Sequence, residues 1–181
     1  VPEVILVRTV FSTIAAARRG LPETGARIEG PHSGDAHLVA GLEQAGARHG
    51  LLTARAYRPE RWLEHGARVH FGQEVLEVLH CPGHSRGHVA YFSASARQAF
   101  VGDILFRGAI GAWEHTDGDL AQLVRSIRDR LFALGDDVRF VPGHGEHSSM
   151  GHERVHNPFV GERALARWRR GEPAPAAPGD P

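Results

Sequence analysis

Hydrophobic and polar positions alternate at strand-like and helix-like periods along most of the chain. Positions 3–10 are dense in Val, Ile and Leu and predict a buried strand. Positions 12–19 predict a short helix with Ser12 as its N-cap. A short strand is expected at 26–29. A helix is expected at 35–47, with Leu38, Val39 and Leu42 at helical spacing, and a loop at 57–62. Strands follow at 69–71, 75–80, 89–92 and 99–101, although Val75, Glu77 and Leu79 do not alternate cleanly with their neighbours. The clearest helix is 120–134, where Leu120, Leu123, Val124, Ile127 and Leu131 fall on one stripe and Arg125, Arg128 and Arg130 off it. Asp117 or Asp119 can cap its start and Gly135 its end. A strand at 138–141 and a helix at 161–170 complete one domain over residues 1–170. The Pro- and Ala-rich stretch 171–181 predicts a disordered tail. Strands alternating with helices over one core predict a mixed α/β sandwich, with the strand order left open.

Composition narrows the function classes. The chain has 181 residues, 41% hydrophobic and 23% charged, enough for a real core. Its 21 basic and 21 acidic residues give no net charge, so no basic footprint for nucleic acid. A single cysteine, Cys81, excludes an internal disulfide and fits a reducing compartment. No apolar run reaches membrane-spanning length and no signal-peptide layout opens the chain. These features predict a cytoplasmic protein with neither membrane nor nucleic-acid partners. All the basic residues are Arg and only Asn157 is Asn, a bias expected of a GC-rich gene. None of the 13 histidines precedes His32.

Three apolar strands each run straight into a Gly-containing loop with a polar residue. They lead to Cys81-Pro82-Gly83-His84, to Gly102-Asp103 and to Pro142-Gly143-His144-Gly145. Strand ends hold loop residues in place, and glycine permits close backbone approach. His, Asp and His are ligand types for zinc, iron or manganese. The flanking residues have simpler readings. His80 and His88 are expected to be strand-end polar residues, and Cys81 a small buried apolar one. His32 and His37 suit a solvated loop and a helix start. The arginines of 163–170 suit a solvated helix face.

The stretches LHCPGHSRGHVAYF, FVGDILFRG, LGDDVRFVPGHG and ERVHNPF resemble the metallo-β-lactamase superfamily. Within it they resemble the small bacterial hydrolases related to glyoxalase II, the hydroxyacylglutathione hydrolases. The resemblance implies an α/β (αββα) sandwich with a metal site at one edge of two sheets. It implies that His84 binds a first metal, that Asp103 bridges two metals and orients the hydroxide, and that His144 binds the second. Zinc is the implied metal, two per site, with iron or manganese as substitutes. The implied reaction is hydrolysis of an S-acyl glutathione-type thioester by a metal-bound hydroxide, with Arg107 contacting a substrate carboxylate. His156-Asn157-Pro158 becomes a structural turn. Gly111-Ala112 stands where the family has Gly-Arg, so a second substrate-facing cation is missing.

The family's early His-x-His-x-Asp-His motif should follow the first strand, after a leading strand hairpin that this chain is expected to lack. Its four ligand positions hold Thr9, Phe11, Thr13 and Ile14. Read one base out of frame, codons for Arg8-Thr9, Ser12-Thr13 and Thr13-Ile14 can spell His, Asp and His. Position 11 falls one base short of His. This predicts that 8–22 is out of frame relative to a functional ancestor. Two alternatives to the hydrolase follow: a remnant or frame-shifted product that binds little metal, and a mononuclear-iron persulfide dioxygenase, which shares the fold.

Overall fold

The computed structural model describes residues 4–6, 27–48 and 56–170. The helix expected at 12–19, the tail at 171–181 and the positions of Thr9, Phe11, Thr13 and Ile14 lie outside the described residues. Strand β1 (Val4–Leu6) pairs in parallel with β2 (Arg27–Glu29), and Glu29 bridges onward to Arg61. A 3-10 turn (Ser33–Asp35) then opens into α1 (Ala36–Ala40) and α2 (Leu42–Arg48). The single helix expected at 35–47 is divided at Gly41, where glycine's conformational freedom weakens helix continuity.

The main sheet has six strands in the order β10-β9-β6-β5-β4-β3. Strands β3 (Arg68–Phe71), β4 (Glu74–His80), β5 (Val89–Ser93) and β6 (Gln98–Gly102) form an antiparallel meander. A two-stranded hairpin of β7 (Leu105–Phe106) and β8 (Ala109–Ile110) follows β6. Strand β9 (Arg139–Pro142) lies parallel to β6, and β10 (Ser148–Ser149) antiparallel to β9. Both faces of the sheet are covered. Leu76, Val78, Val89 and Tyr91 join one core cluster, while Leu79, Ala90 and Phe92 join the other. This explains the imperfect alternation of β4: Leu79 is buried on the face opposite Val78, so apolar residues are needed at consecutive positions.

The helix expected at 120–134 is one continuous element with a changing pitch. It runs from α3 (Leu120–Ser126) through a π-helical turn (Ile127–Leu131) to a 3-10 turn (Phe132–Leu134). Asp119 caps it by accepting from the Gln122 N–H at 2.9 Å, and Gly135 ends it at φ 110°. Leu123, Ile127 and Leu131 are fully buried in the larger core, as the stripe predicted. Two elements without a periodic signal, α4 (Met150–His156) and the β7–β8 hairpin, accompany α5 (Glu162–Arg169). No helix among the described residues is long and apolar enough to cross a membrane.

One topological consequence positions the site. Strand β4 is antiparallel to β5 and β5 to β6, so β4 and β6 run the same way, and β9 runs parallel to both. The three loops singled out from the sequence therefore leave the same edge of the sheet.

Candidate metal centre

The first loop connects β4 to β5. The Cys81 N–H donates to His88 O at 2.8 Å and closes the loop at its base. Gly83 (φ 134°) lets the loop dock on α3, because a β-carbon there would fall within 2.3 Å of the Leu123 nitrogen. Its carbonyl accepts the Asp119 N–H at 2.8 Å. Cys81 itself is fully buried and burial pushes its thiol up to about 12, so it is an apolar filler and no nucleophile.

His84 projects from this loop toward Asp103. Its Nδ1 lies 2.9 Å from the carbonyl of Ala112, and a carbonyl only accepts, so Nδ1 carries the proton. Nε2 faces Oδ2 of Asp103 at 4.0 Å. Asp103 follows β6 and is held through its backbone: its N–H donates to His88 Nε2 at 3.2 Å. His88 is fully buried, and its Nδ1 donates in turn to Val89 O at 3.1 Å. His88 is thus more than a strand-end polar residue, because it fixes the backbone of the central carboxylate. Its spacing of four from His84 was the available signal.

Two glycines bring the remaining loops against this pair. A β-carbon on Gly111 would come within 1.9 Å of Asp103 O and 3.2 Å of His84 Nδ1. One on Gly143 would come within 2.0 Å of Asp103 Oδ1, and the Gly143 N–H donates to Gly102 O at 2.8 Å. The next residue, His144, is exposed, with its ring 4.6 Å from that of Phe106. The ring of His115 stands edge-on to His84 at 5.4 Å.

The donor chemistry at His84 and Asp103 fits a metal ion. A carbonyl-anchored imidazole with a free Nε2 and a backbone-fixed carboxylate are ligand types oriented by their neighbours. The pair stops short of a complete centre. No group of three or more His, Cys, Asp or Glu among the described residues could hold a metal. Thr9, Phe11, Thr13 and Ile14, expected from the family resemblance at the early ligand positions, carry no imidazole, thiolate or carboxylate.

Around the site, Arg107 at the tip of the β7–β8 hairpin is paired with Glu146. The hairpin is anchored by buried Glu153, which accepts from the Gly108 N–H at 2.9 Å, Ser148 Oγ at 2.6 Å and Asn157 Nδ2 at 2.9 Å. Asn157 also donates to Ala109 O at 3.0 Å and accepts from the Phe159 and Val160 N–H groups. An open groove of about 380 Å³ lies beside it, lined by Arg107, Arg139, His147, Ser148, Ser149 and His152. On the other side of the His84 loop, Asp35 is fully buried, and burial pushes its carboxyl above the usual carboxylate range. His32 is half-buried rather than solvated, with its ring stacked on His80 at 3.9 Å. His37 pairs with Asp117 at 2.9 Å. Asp35 gave no sequence signal beyond lying in a polar segment, and Glu153 only its place in the ERVHNPF stretch.

Comparison with known proteins extends this picture. The model of the metallo-beta-lactamase superfamily matches residues 15–144. The chain is 34% identical over 152 residues to the hydroxyacylglutathione hydrolase GloC of Haemophilus influenzae, covering 83% of this chain and 72% of that protein. Several other bacterial relatives are matched over only about half of their length. Among solved structures, TTHA1623 in a di-iron-bound form is 35% identical, with a TM-score of 0.78 over 88% of this chain and 78% of that one. The BLEG-1 B3 metallo-beta-lactamase is 26% identical, with a TM-score of 0.73 over 87% and 76%. The chain belongs to the metallo-beta-lactamase superfamily and carries its hydrolase fold.

Proposed function

We propose that this chain is a thioester hydrolase of the glyoxalase II-like kind, acting on S-acyl glutathione-type substrates, with a metal centre that it holds weakly. The observation that carries this reading is the His84–Asp103 pair: a ring fixed through Nδ1 to Ala112 O, with Nε2 opposite a carboxylate at 4.0 Å. The likeness to a hydroxyacylglutathione hydrolase supports the substrate class.

A bound zinc-group or iron ion would polarise the thioester carbonyl and lower the pKa of a water. His84, Asp103 and His144 are the residues of this chain that would hold it. The protein's own part is orientation. Ala112 O fixes the tautomer of His84, His88 fixes the backbone of Asp103, and Gly143 keeps the His144 loop against Asp103. Arg107 presents a guanidinium to a substrate carboxylate, which would displace Glu146. The single, buried cysteine suits the cytoplasm.

The test is metal analysis of the purified chain with hydrolysis of an S-(2-hydroxyacyl)glutathione. Less than one ion per chain is expected, together with slow hydrolysis that rises with added Zn²⁺ or Fe²⁺ and is abolished by Asp103→Ala. Hydrolysis indifferent to added metal and to Asp103→Ala would overturn the hydrolase reading. Two tightly held ions per chain would overturn the weak centre.

A further inference from the structure

The turn formed by residues 32–35 packs directly under the loop that carries His84, and the contact is made by backbone. Gly34 has no room for a side chain, since a β-carbon would meet Arg86 O at 2.8 Å. Gly87 has none either, with Asp35 N at 2.4 Å and His32 O at 2.5 Å. The His32 N–H donates to Gly87 O at 3.1 Å. Between these two glycines sits the carboxylate of Asp35, fully buried. Its Oδ2 accepts from Ser85 Oγ at 2.7 Å and its Oδ1 from the Gly87 N–H at 2.6 Å.

A buried carboxylate costs several kcal/mol of desolvation, so one with both oxygens used on a single loop is an expensive way to hold that loop. The two bonds fall on particular neighbours. Ser85 directly follows His84. Gly87 directly precedes His88, whose Nε2 takes the Asp103 N–H. One carboxylate therefore braces the segments that set both facing donors.

We infer that Asp35 is a positioning residue: through Ser85 and Gly87 it holds the His84 loop in the conformation that points Nε2 of His84 at Asp103. Its importance for metal binding rests on the reading of His84 and Asp103 as ligands. Its effect on the His84 ring does not. Asp35→Asn is the informative variant. The shape is kept, but the charge goes, and the amide can serve both the Gly87 N–H and Ser85 Oγ only if the serine hydroxyl turns to accept, so the pair of charge-assisted bonds is lost.

The experiment uses the full chain without metal and reads the ring nitrogens of His84 and His88 by two-bond ¹⁵N–¹H correlation, assigned with His84→Gln and His88→Gln. Wild type should show His84 locked with its proton on Nδ1. Asp35→Asn should show His84 averaging between tautomers, and Zn²⁺ affinity at least tenfold weaker. Val138→Ala, a core change just before the strand whose other end carries the His144 loop, should leave both rings as in wild type despite lower stability. Should Asp35→Asn fail to fold, Ser85→Ala removes one of the two bonds and should move the same ring signals by less. A folded Asp35→Asn or Ser85→Ala protein with unaltered His84 signals would overturn the inference. Altered ring signals in a chain whose wild type binds no Zn²⁺ would support the role of Asp35 and overturn only the metal reading.

Discussion

The Cα of Gly143 lies directly against the carboxylate of Asp103, so close that a β-carbon would stand 2.0 Å from Oδ1. The contact joins the loop after β9 to the loop after β6 on the edge where His84 also arrives. Gly143→Ala must push Asp103 aside or lift the His144 loop. A loss of about 1–3 kcal/mol is expected in denaturant unfolding, as for other overpacked sites. Zn²⁺ affinity should fall with it. An alanine variant with wild-type stability and affinity would show that the two loops move independently.

His88→Phe removes the acceptor for the Asp103 N–H while keeping a ring in the buried space. An unsatisfied buried donor costs about 1–3 kcal/mol. The Asp103 amide should then exchange with solvent faster than its β6 neighbours. Equal protection in wild type and variant would mean that the 3.2 Å contact contributes nothing.

Burial pushes the imidazole of His80 below its ordinary value of 6.5, with the stacked His32 and nearby Arg130 acting in the same direction. Hydrogen bonding to Arg86 O and the Glu64 charge oppose the shift. In the unfolded chain His80 takes up its proton near the ordinary value, whereas the folded chain resists until lower pH. The unfolded state therefore binds more protons across that window, and stability is lost as pH falls from 6.5 toward the folded value. Unfolding midpoints at about pH 7.5 and about pH 5.5 should differ more for wild type than for His80→Gln, which can still donate to Arg86 O. Identical pH dependence would sink this account.

Glu153 gathers three donors in a fully buried site and ties β10, the β7–β8 hairpin and Asn157 together. Glu153→Ala should lower stability by about 3 kcal/mol or more, because several donors lose a charged acceptor together. Limited proteolysis should then cut near Arg107 first. A variant that resists cleavage there as wild type does would show that the hairpin is held by its apolar contacts alone.

The early motif offers the sharpest gain-of-function test. Replacing Thr9→His, Phe11→His, Thr13→Asp and Ile14→His together should raise metal content from below one to about two ions per chain, with faster thioester hydrolysis. The DNA spanning the first 25 codons checks the shifted-frame reading separately. Codons that cannot spell the Asp-His text one base out would exclude it.

Most of the fold could be read locally. The stripe of Leu123, Ile127 and Leu131, the cap at Asp119 and the strand-end loops all depend on residues a few positions apart. Chain-local patterns therefore revealed them. The β7–β8 hairpin and α4 were missed because short elements carry too few residues for a period to register. Gly41 divided a helix that its apolar spacing alone continued.

From residues alone came most of the elements and the three loops with His84, Asp103 and His144, while the early ligand positions at Thr9, Phe11, Thr13 and Ile14 were expected only from the family resemblance. Strand pairing, which is non-local, decided the rest. It set β4, β6 and β9 in one direction, so that the loops meet at one edge. It brought His84 opposite Asp103, 19 positions away in a chain of 181, and put Asp35 beneath Ser85 and Gly87 across a gap of 50 and 52 positions. The partners of buried polar groups such as His88, Asp35 and Glu153 became legible only there. A polar side chain shows its purpose by its partner, and these partners lie beyond any local period.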